Sequence, residues 1–373
     1  MQYLFILLNI VYGIGLLLFL NGFLLTRRTI LQNSTDISSQ QQFKNGSSEF
    51  NQIVLLVIDA LRYDFIQPQQ HTKLNPFYHN QMSHVQQLLI RHPRQARLVK
   101  LHADPPTTTL QRLKALTTGT LPTFIDFSYN FFGYEVNEDN ILFQSHNNNK
   151  WNISFLGDDT WLTLYPTMFH RHHAYPSFNV YDLDTVDNGI LEHLDELIKQ
   201  QKSFIIAHFL GVDHCGHRYS PSHTEMSRKL RQMDMVILNI TSQLKSNSLL
   251  IVVGDHGMTS SGDHGGDELN EIETAMFVYT NKQNYFTLLE DSSTTIHYSQ
   301  MDFVPTLSWY LQILVPYSNL GFVINELIPE HEHLDAMKQN FNQIRLYLSK
   351  LSSVDSTLKL SNELTMLYSR LNS

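Results

Sequence analysis

The sequence predicts an α/β fold with a mostly parallel central sheet flanked by helices. Several short apolar runs are typical of buried parallel strands, among them residues 53–58, 204–209 and 249–253. Helical patterns separate these runs, as in the amphipathic stretch 224–244. Each of the three runs is followed within a few residues by an aspartate. Because open α/β sheets bind ligands at the carboxyl ends of their strands, this edge is where the sequence predicts a functional site.

Composition limits the classes of function. The chain has 373 residues, 42% of them hydrophobic, which is enough for one large domain or two smaller ones. Its formal net charge of -9 provides no basic face to follow the phosphates of a nucleic acid. Cys215 is the only cysteine, so no disulfide can form within the chain and disulfides cannot indicate its compartment.

The amino-terminal segment predicts a membrane anchor. Residues 3–25 contain no charge and are long enough to span a bilayer; a buried core helix is the alternative. The segment lacks the charged start and cleavage site of a secretory signal peptide, which favours an uncleaved anchor. Arg27 and Arg28 favour a cytoplasmic domain by the positive-inside rule. Four glycosylation sequons instead fit a lumenal one; they begin at Asn33, Asn45, Asn152 and Asn239.

The rest of the chain is interpreted in order. Residues 1–28 are the predicted transmembrane anchor, 29–50 a polar linker, 51–330 the catalytic domain and 331–373 a helical tail without a second apolar span. Six strands are predicted, at residues 53–58, 98–102, 153–157, 204–209, 249–253 and 275–279. Helical patterns occupy residues 111–116, 179–197, 224–244, 301–311 and 334–371.

Acidic residues and histidines at strand ends suggest two cation sites. Asp213 and His217 are four residues apart, a spacing that places both on one face of a helical turn. Carboxylates and imidazoles together suit zinc or manganese. We assign Asp59, Asp255 and His256 to one ion and Asp213, His217 and His264 to the other. The Asp-His-Gly segment also occurs in ordinary strand-to-loop turns, which is the alternative reading of residues 255–257.

Three consecutive threonines, Thr107, Thr108 and Thr109, precede the helix predicted at residues 111–116. Hydroxyls at a helix amino terminus are often simple caps. After a strand, however, such a hydroxyl lies near the helix dipole and near any metal at the sheet edge, where it can act as a nucleophile. With two cations beside it, the arrangement suits a two-metal displacement at phosphorus.

Five segments carry a family resemblance. They resemble the alkaline phosphatase superfamily and, within it, the GPI ethanolamine phosphate transferases, most closely the branch that modifies the third mannose. The resemblance covers residues 50–330 and is strongest at residues 104–119, 157–161, 182–189, 207–217 and 254–266. It implies an alkaline-phosphatase-like fold that binds two divalent metal ions, with zinc expected.

The resemblance also implies an activity and its residues. The expected reaction transfers phosphoethanolamine from phosphatidylethanolamine to a mannose of the GPI precursor, on the lumenal side of the endoplasmic reticulum membrane. It implies a small accessory membrane subunit of the PIG-F kind. The six residues assigned above match the family's metal positions. Thr109 matches the nucleophile, because it lies ten residues before Gly119, and Thr107 is its main competitor. Asp158, Asp159 and Asn188 receive no role.

Two alternatives remain at this point. The same scaffold could hydrolyse nucleotide esters, as phosphodiesterases and nucleotide pyrophosphatases do, because the ligand set alone does not distinguish these reactions. The chain could also be a catalytically silent, membrane-anchored subunit, although a complete ligand set argues against that. Family members typically continue into many membrane spans, and no such spans are expected within residues 331–373.

Overall fold

A computed structural model describes residues 2–23, 30–35, 50–69, 74–121, 135–147, 150–288 and 297–354. In these residues the predicted α/β fold is confirmed: one eight-stranded sheet has helices on both faces. The strands are β1 (Gln52–Ile58), β2 (Ala96–His102), β3 (Asn152–Asp158), β4 (Arg171–Tyr175), β5 (Ser203–Phe209), β6 (Ser248–Val253), β7 (Glu273–Thr280) and β8 (His297–Ser299).

The spatial order of the strands is β4-β3-β5-β1-β6-β7-β2-β8. Strand β7 runs antiparallel to its neighbours β6 and β2, and the other pairings are parallel. Every residue of β1, β5 and β6 is buried, which explains why these strands are continuous apolar runs rather than alternating patterns. Their carboxyl ends therefore lie side by side at the middle of one sheet edge.

Helices cover both faces of the sheet. Residues of α3, α7 and α9 join the apolar core on one face, and residues of α4, α5 and α11 join the core on the other. The helices are α1 (Gln2–Phe23), α2 (Tyr63–Ile66), α3 (Ser83–Arg91), α4 (Thr109–Thr118), α5 (Ile141–Asn147), α6 (Thr160–Leu164), α7 (Thr185–Ile198), α8 (Gly211–Tyr219), α9 (Thr224–Gln243), α10 (Leu269–Ile272), α11 (Phe303–Leu311) and α12 (His333–Val354).

All six predicted strands are present, each extended by one to three residues. Two strands were missed, β4 and β8. Both are short, lie at the outer edges of the sheet and are partly exposed, so neither forms an apolar run. The helical spacing of Asp213 and His217 is confirmed, because both lie on α8. Of the helix predicted over residues 334–371, residues 355–373 lie outside the described part of the chain.

The predicted anchor forms α1. It is the one helix among the described residues that is long and apolar enough to cross a membrane, and none of its apolar window, Gln2–Leu20, is buried. Its exposure does not support the alternative of a soluble core helix. Residues 36–49 of the predicted linker lie outside the described residues.

Candidate metal centre

Seven residues singled out from the sequence converge at the carboxyl edge of the sheet. Asp59 follows β1, and Asp255 and His256 follow β6. Asp213 and His217 come from α8, which begins two residues after β5 ends. The loop after β6 returns His264 to the same place, and α4 begins there with Thr109. Parallel neighbouring strands thus bring together groups that are far apart in the chain.

One trio lies at the more accessible side of the cluster. Single ligand atoms of Asp213, His217 and His264 lie within 4.8 Å of one another. The two imidazole Nε2 atoms are 3.0 Å apart, and Asp213 is 3.4 Å from His217 and 3.6 Å from His264. His264 Nδ1 is 2.8 Å from the Thr107 carbonyl oxygen, so Nδ1 holds the proton and Nε2 offers a lone pair. At 3.0 Å from the other imidazole, the His264 Nε2 lone pair faces either the hydrogen of His217 Nε2 or a cation that both nitrogens bind.

The second group is fully buried. Asp59, Asp213 and His256 have ligand atoms within 4.8 Å of one another, and Asp59 and Asp255 also group with His208. His256 Nε2 is 3.3 Å from Asp59 and 3.4 Å from Asp255. His256 Nδ1 is 2.9 Å from the Gly257 carbonyl oxygen, which leaves the lone pair on Nε2. Burial lowers the pKa of His256 to about 4, so the ring is neutral, as a metal ligand must be.

The charges of the cluster fit a bound cation. Burial and the neighbouring Asp255, Asp213 and Asp158 carboxylates raise the pKa of Asp59 well above its usual value. One oxygen on each of three carboxylates has no hydrogen-bond partner among the described residues: Asp59 Oδ1, Asp213 Oδ1 and Asp255 Oδ2. Unpartnered buried carboxylate oxygens are costly unless a cation coordinates them. The donor set of carboxylates and neutral imidazoles suits zinc.

The three threonines differ in their contacts. Thr109 Oγ1 lies 3.4 Å from Asp59 Oδ2 and 3.3 Å from His256 Nε2, inside the cluster. Thr107 is fully buried, and its hydroxyl donates to the Gly266 carbonyl oxygen and accepts from the Gly265 amide, both at 2.9 Å. The Thr108 hydroxyl bonds the side chain of Gln111.

Sequence reasoning missed His208 and left Asp158 without a role. His208 is buried at the end of β5, 3.7 Å from Asp59 and 3.4 Å from Asp158. Its only signal was a polar residue inside an apolar strand. The other two residues without a role lie elsewhere: Asp159 accepts from the Ser177 hydroxyl at 2.9 Å, and Asn188 lies 3.5 Å from Gln232.

Comparisons with known proteins give consistent results. Residues 163–297 match the family model described as type I phosphodiesterase / nucleotide pyrophosphatase. The chain is 42% identical to GPI ethanolamine phosphate transferase 3, catalytic subunit, of Homo sapiens, a match that covers 92% of this chain and 34% of the relative. It is 40% identical to GPI ethanolamine phosphate transferase 3 of Saccharomyces cerevisiae, over 92% of this chain and 35% of the relative.

The chain thus spans about a third of the length of these curated relatives. Among solved structures, the soluble domain of lipooligosaccharide phosphoethanolamine transferase A from Neisseria meningitidis has a TM-score of 0.51 at 14% identity. That match covers 77% of this chain and 94% of the other, and it shows a shared fold.

Proposed function

We propose that this chain, which is 40–42% identical over 92% of its length to proteins named GPI ethanolamine phosphate transferase 3, belongs to their family and transfers phosphoethanolamine from phosphatidylethanolamine to a mannose, the third, of the GPI precursor. The observation that carries the proposal is the position of the Thr109 hydroxyl. It lies at the first residue of α4, within 3.4 Å of a carboxylate and 3.3 Å of an imidazole nitrogen. A nucleophile, a helix amino terminus and a set of cation ligands therefore meet at one point.

The residues around Thr109 would hold two divalent metal ions, for which we propose zinc. Asp59, Asp255 and His256 would hold one ion, because His256 Nε2 lies 3.3 Å from Asp59 and 3.4 Å from Asp255. Asp213, His217 and His264 would hold the other, because their ligand atoms lie within 4.8 Å of one another; Asp213 also groups with Asp59 and His256 and so lies between the two ions. Bound ions there supply positive charge that lowers the pKa of the threonine hydroxyl and offsets charge on the phosphate oxygens.

The proposed reaction has two displacements at phosphorus. Thr109 Oγ1 gives its proton to the carboxylate cluster at Asp59 and forms a bond to the phosphorus of phosphatidylethanolamine. The bond from phosphorus to the glycerol oxygen breaks, and diacylglycerol leaves with the proton that Asp59 received from Thr109. A mannose hydroxyl oxygen then attacks the phosphoethanolamine-threonine intermediate. The bond between phosphorus and Thr109 Oγ1 breaks, and the threonine recovers the proton that the mannose loses.

Contacts within the threonine run support Thr109 over its neighbours. The Thr107 hydroxyl is occupied on both sides by the backbone of Gly265 and Gly266, so its attack would first require two hydrogen bonds to break. Thr108 is the residue that precedes α4, and its hydroxyl is directed to Gln111. Among the described residues, neither hydroxyl makes a hydrogen bond to the six proposed ligands, and Thr107 contacts His264 only through its backbone carbonyl oxygen.

The proposed setting is the endoplasmic reticulum membrane. We place α1 across the bilayer and the catalytic domain, residues 51–330, on the lumenal side, joined by the linker 29–50 and followed by the tail 331–373. The apolar, exposed α1 supports the anchor. The name of the human relative, GPI ethanolamine phosphate transferase 3, catalytic subunit, supports a GPI precursor as acceptor. We propose a small membrane subunit of the PIG-F kind as partner. The exposed sequon asparagines Asn152 and Asn239 fit a lumenal glycoprotein.

The covalent intermediate provides the test. The full chain in detergent is incubated with zinc and phosphatidylethanolamine, and peptide mass spectrometry locates any phosphoethanolamine adduct. We expect the adduct on Thr109, its loss in Thr109→Ala and its retention in Thr109→Ser. Thr108→Ala is the matched control and should keep the adduct. An adduct on Thr107 or Thr108 would overturn the assignment. A zinc-loaded protein without an adduct at any of the three would overturn the covalent mechanism.

One observation favours a second candidate activity. The family model that matches residues 163–297 describes type I phosphodiesterases and nucleotide pyrophosphatases. The same zinc-loaded protein can be given a nucleotide phosphodiester in place of the lipid. Rapid hydrolysis of that ester, with no consumption of phosphatidylethanolamine, would favour this alternative.

A further inference from the structure

His208 occupies a position behind the proposed metal centre that the mechanism above does not use. The imidazole is completely buried at the carboxyl end of β5, the strand between β3 and β1. Its Nε2 lies 3.7 Å from Asp59 Oδ2, and its Nδ1 lies 3.4 Å from Asp158 Oδ2. Its Nε2 also lies close enough to Asp59 and Asp255 to complete a third possible set of metal ligands. His208 could therefore be a metal ligand or a hydrogen-bond donor.

Trp161 distinguishes the two roles. Its indole Nε1 hydrogen donates to His208 Nδ1 at 3.1 Å, and the tryptophan is 1% exposed. An indole nitrogen can only donate, so the ring nitrogen it contacts must present a lone pair. A neutral imidazole with its lone pair at Nδ1 has its hydrogen at Nε2. The nitrogen that faces Asp59 is then a donor and has no lone pair for a metal.

We propose that His208 is a positioning residue: its Nε2 hydrogen faces Asp59 Oδ2 at 3.7 Å, an electrostatic contact longer than a hydrogen bond, and the Trp161 indole holds the ring in that tautomer. This inference rests on the proposed metal centre. Asp59 Oδ2 also accepts from Thr109 at 3.4 Å, whereas Oδ1 has no hydrogen-bond partner among the described residues. The hydrogen bond from Thr109 and the facing N–H of His208 together favour the rotation of the carboxylate that directs Oδ1 to the cation.

The opposite tautomer would make His208 a metal ligand. With the hydrogen on Nδ1, His208 would donate to Asp158 and ligate the metal through Nε2, the usual arrangement of carboxylate, histidine and metal. The buried Trp161 indole would then lose the one acceptor recorded for it in the described residues. Asp158 Oδ1 keeps its hydrogen bond from the Thr160 amide, at 2.8 Å, with either tautomer of His208.

The test is the zinc affinity of the full chain in detergent, measured without substrate by competition with a chelator. His208→Gln places an amide N–H near the position of Nε2–H and should keep the zinc affinity within about threefold. His208→Leu removes this N–H and should lower the affinity about 10- to 100-fold, the range typical for loss of a group that orients a metal ligand. Trp161→Phe removes the indole N–H that holds His208 in this tautomer, so it should also lower the zinc affinity. Trp151→Phe is the matched control, because buried Trp151 donates to the Leu311 carbonyl oxygen at 2.8 Å.

The ligand role predicts the opposite results. His208→Gln and His208→Leu would then lose zinc equally, and Trp161→Phe would keep or increase the affinity because Nδ1 is free to donate to Asp158. Either result would overturn the proposal. If the His208 variants do not fold, the difference between Trp161→Phe and Trp151→Phe still decides. Zinc affinity is independent of which ester is the substrate, so failure of this proposal and failure of the proposed transferase activity are separate outcomes.

Discussion

A buried ion pair behind the metal centre gives the sharpest stability prediction. Asp187 Oδ2 lies 2.6 Å from Lys229 Nζ, and the two side chains are 1% and 0% exposed. Asp187 Oδ1 accepts from the backbone amides of Leu210 and Gly211 at 3.0 and 3.2 Å. These amides begin α8, the helix that carries two of the proposed metal ligands. The pair therefore links α7 and α9 to the start of that helix.

We expect Asp187→Asn to destabilise the domain by about 3 kcal/mol. Breaking a buried pair costs about 3–5 kcal/mol, because the remaining charge stays buried. The lower end applies here, since the amide oxygen still accepts the two backbone hydrogens. Lys229 also keeps contacts with Gln232 at 2.6 Å and the partly exposed Asp184 at 3.2 Å. At about 2 °C per kcal/mol for a domain of this size, the melting temperature should fall by about 6 °C.

The assay is thermal unfolding of the metal-free protein, followed by circular dichroism. The double variant Asp187→Asn/Lys229→Met should melt above Asp187→Asn, because it removes the uncompensated charge. Glu196→Gln is the control: it disrupts the exposed pair with Arg171 and should leave the melting temperature unchanged. An Asp187→Asn protein that melts with the parent protein would refute the reasoning.

Three further predictions concern the site loop, the cation and the cysteine. Gly262→Ala should lower the melting temperature more than Gly265→Ala. Both glycines have positive φ. A methyl group at Gly262 would lie 2.0 Å from the Gly216 carbonyl oxygen, whereas one at Gly265 would contact nothing closer than 3.6 Å. Equal losses would contradict this. The affinity for zinc should increase with pH, because burial and the neighbouring carboxylates raise the pKa of Asp59 in the metal-free protein and a metal ion binds the charged carboxylate. Competition with a chelator over a pH series measures this, and an affinity that does not change with pH would contradict it. Burial raises the pKa of Cys215 to about 12, so iodoacetamide at about pH 8 should label the unfolded chain only; labelling of the native protein would contradict its burial.

The central strands could be predicted because they are buried on both faces. A strand such as β1 must be apolar throughout, and the polar residue that ends it is therefore conspicuous in the sequence. The same reason accounts for the misses. Strand β4, Arg171–Tyr175, lies at the sheet edge and contains two histidines and an arginine, so no apolar run marks it. Edge strands are specified by their pairing with a neighbour, which local sequence does not record.

The candidate site divides in a similar way. The six proposed ligands were identified from local properties of the sequence: five follow a strand or share a helical face, and His264 is a second imidazole eight residues after His256. The choice among three adjacent threonines was not local, because Thr107, Thr108 and Thr109 have the same side chain and differ only in what α4 and the loop after β6 place around them. The contacts of His208 with Trp161 and Asp59 could not be predicted either, because these residues are remote from it in the sequence.

The sequence by itself determined the fold class and the edge of the sheet that carries the acidic and imidazole groups, because hydrophobic periodicity and strand ends are encoded in neighbouring residues. Only the tertiary structure decided which hydroxyl faces Asp59 and which polar groups surround His208. Both depend on hydrogen bonds between groups on different strands, such as Trp161 to His208, whose residues are remote in the chain. The direction and length of such hydrogen bonds are fixed only when the strands lie side by side in the folded sheet.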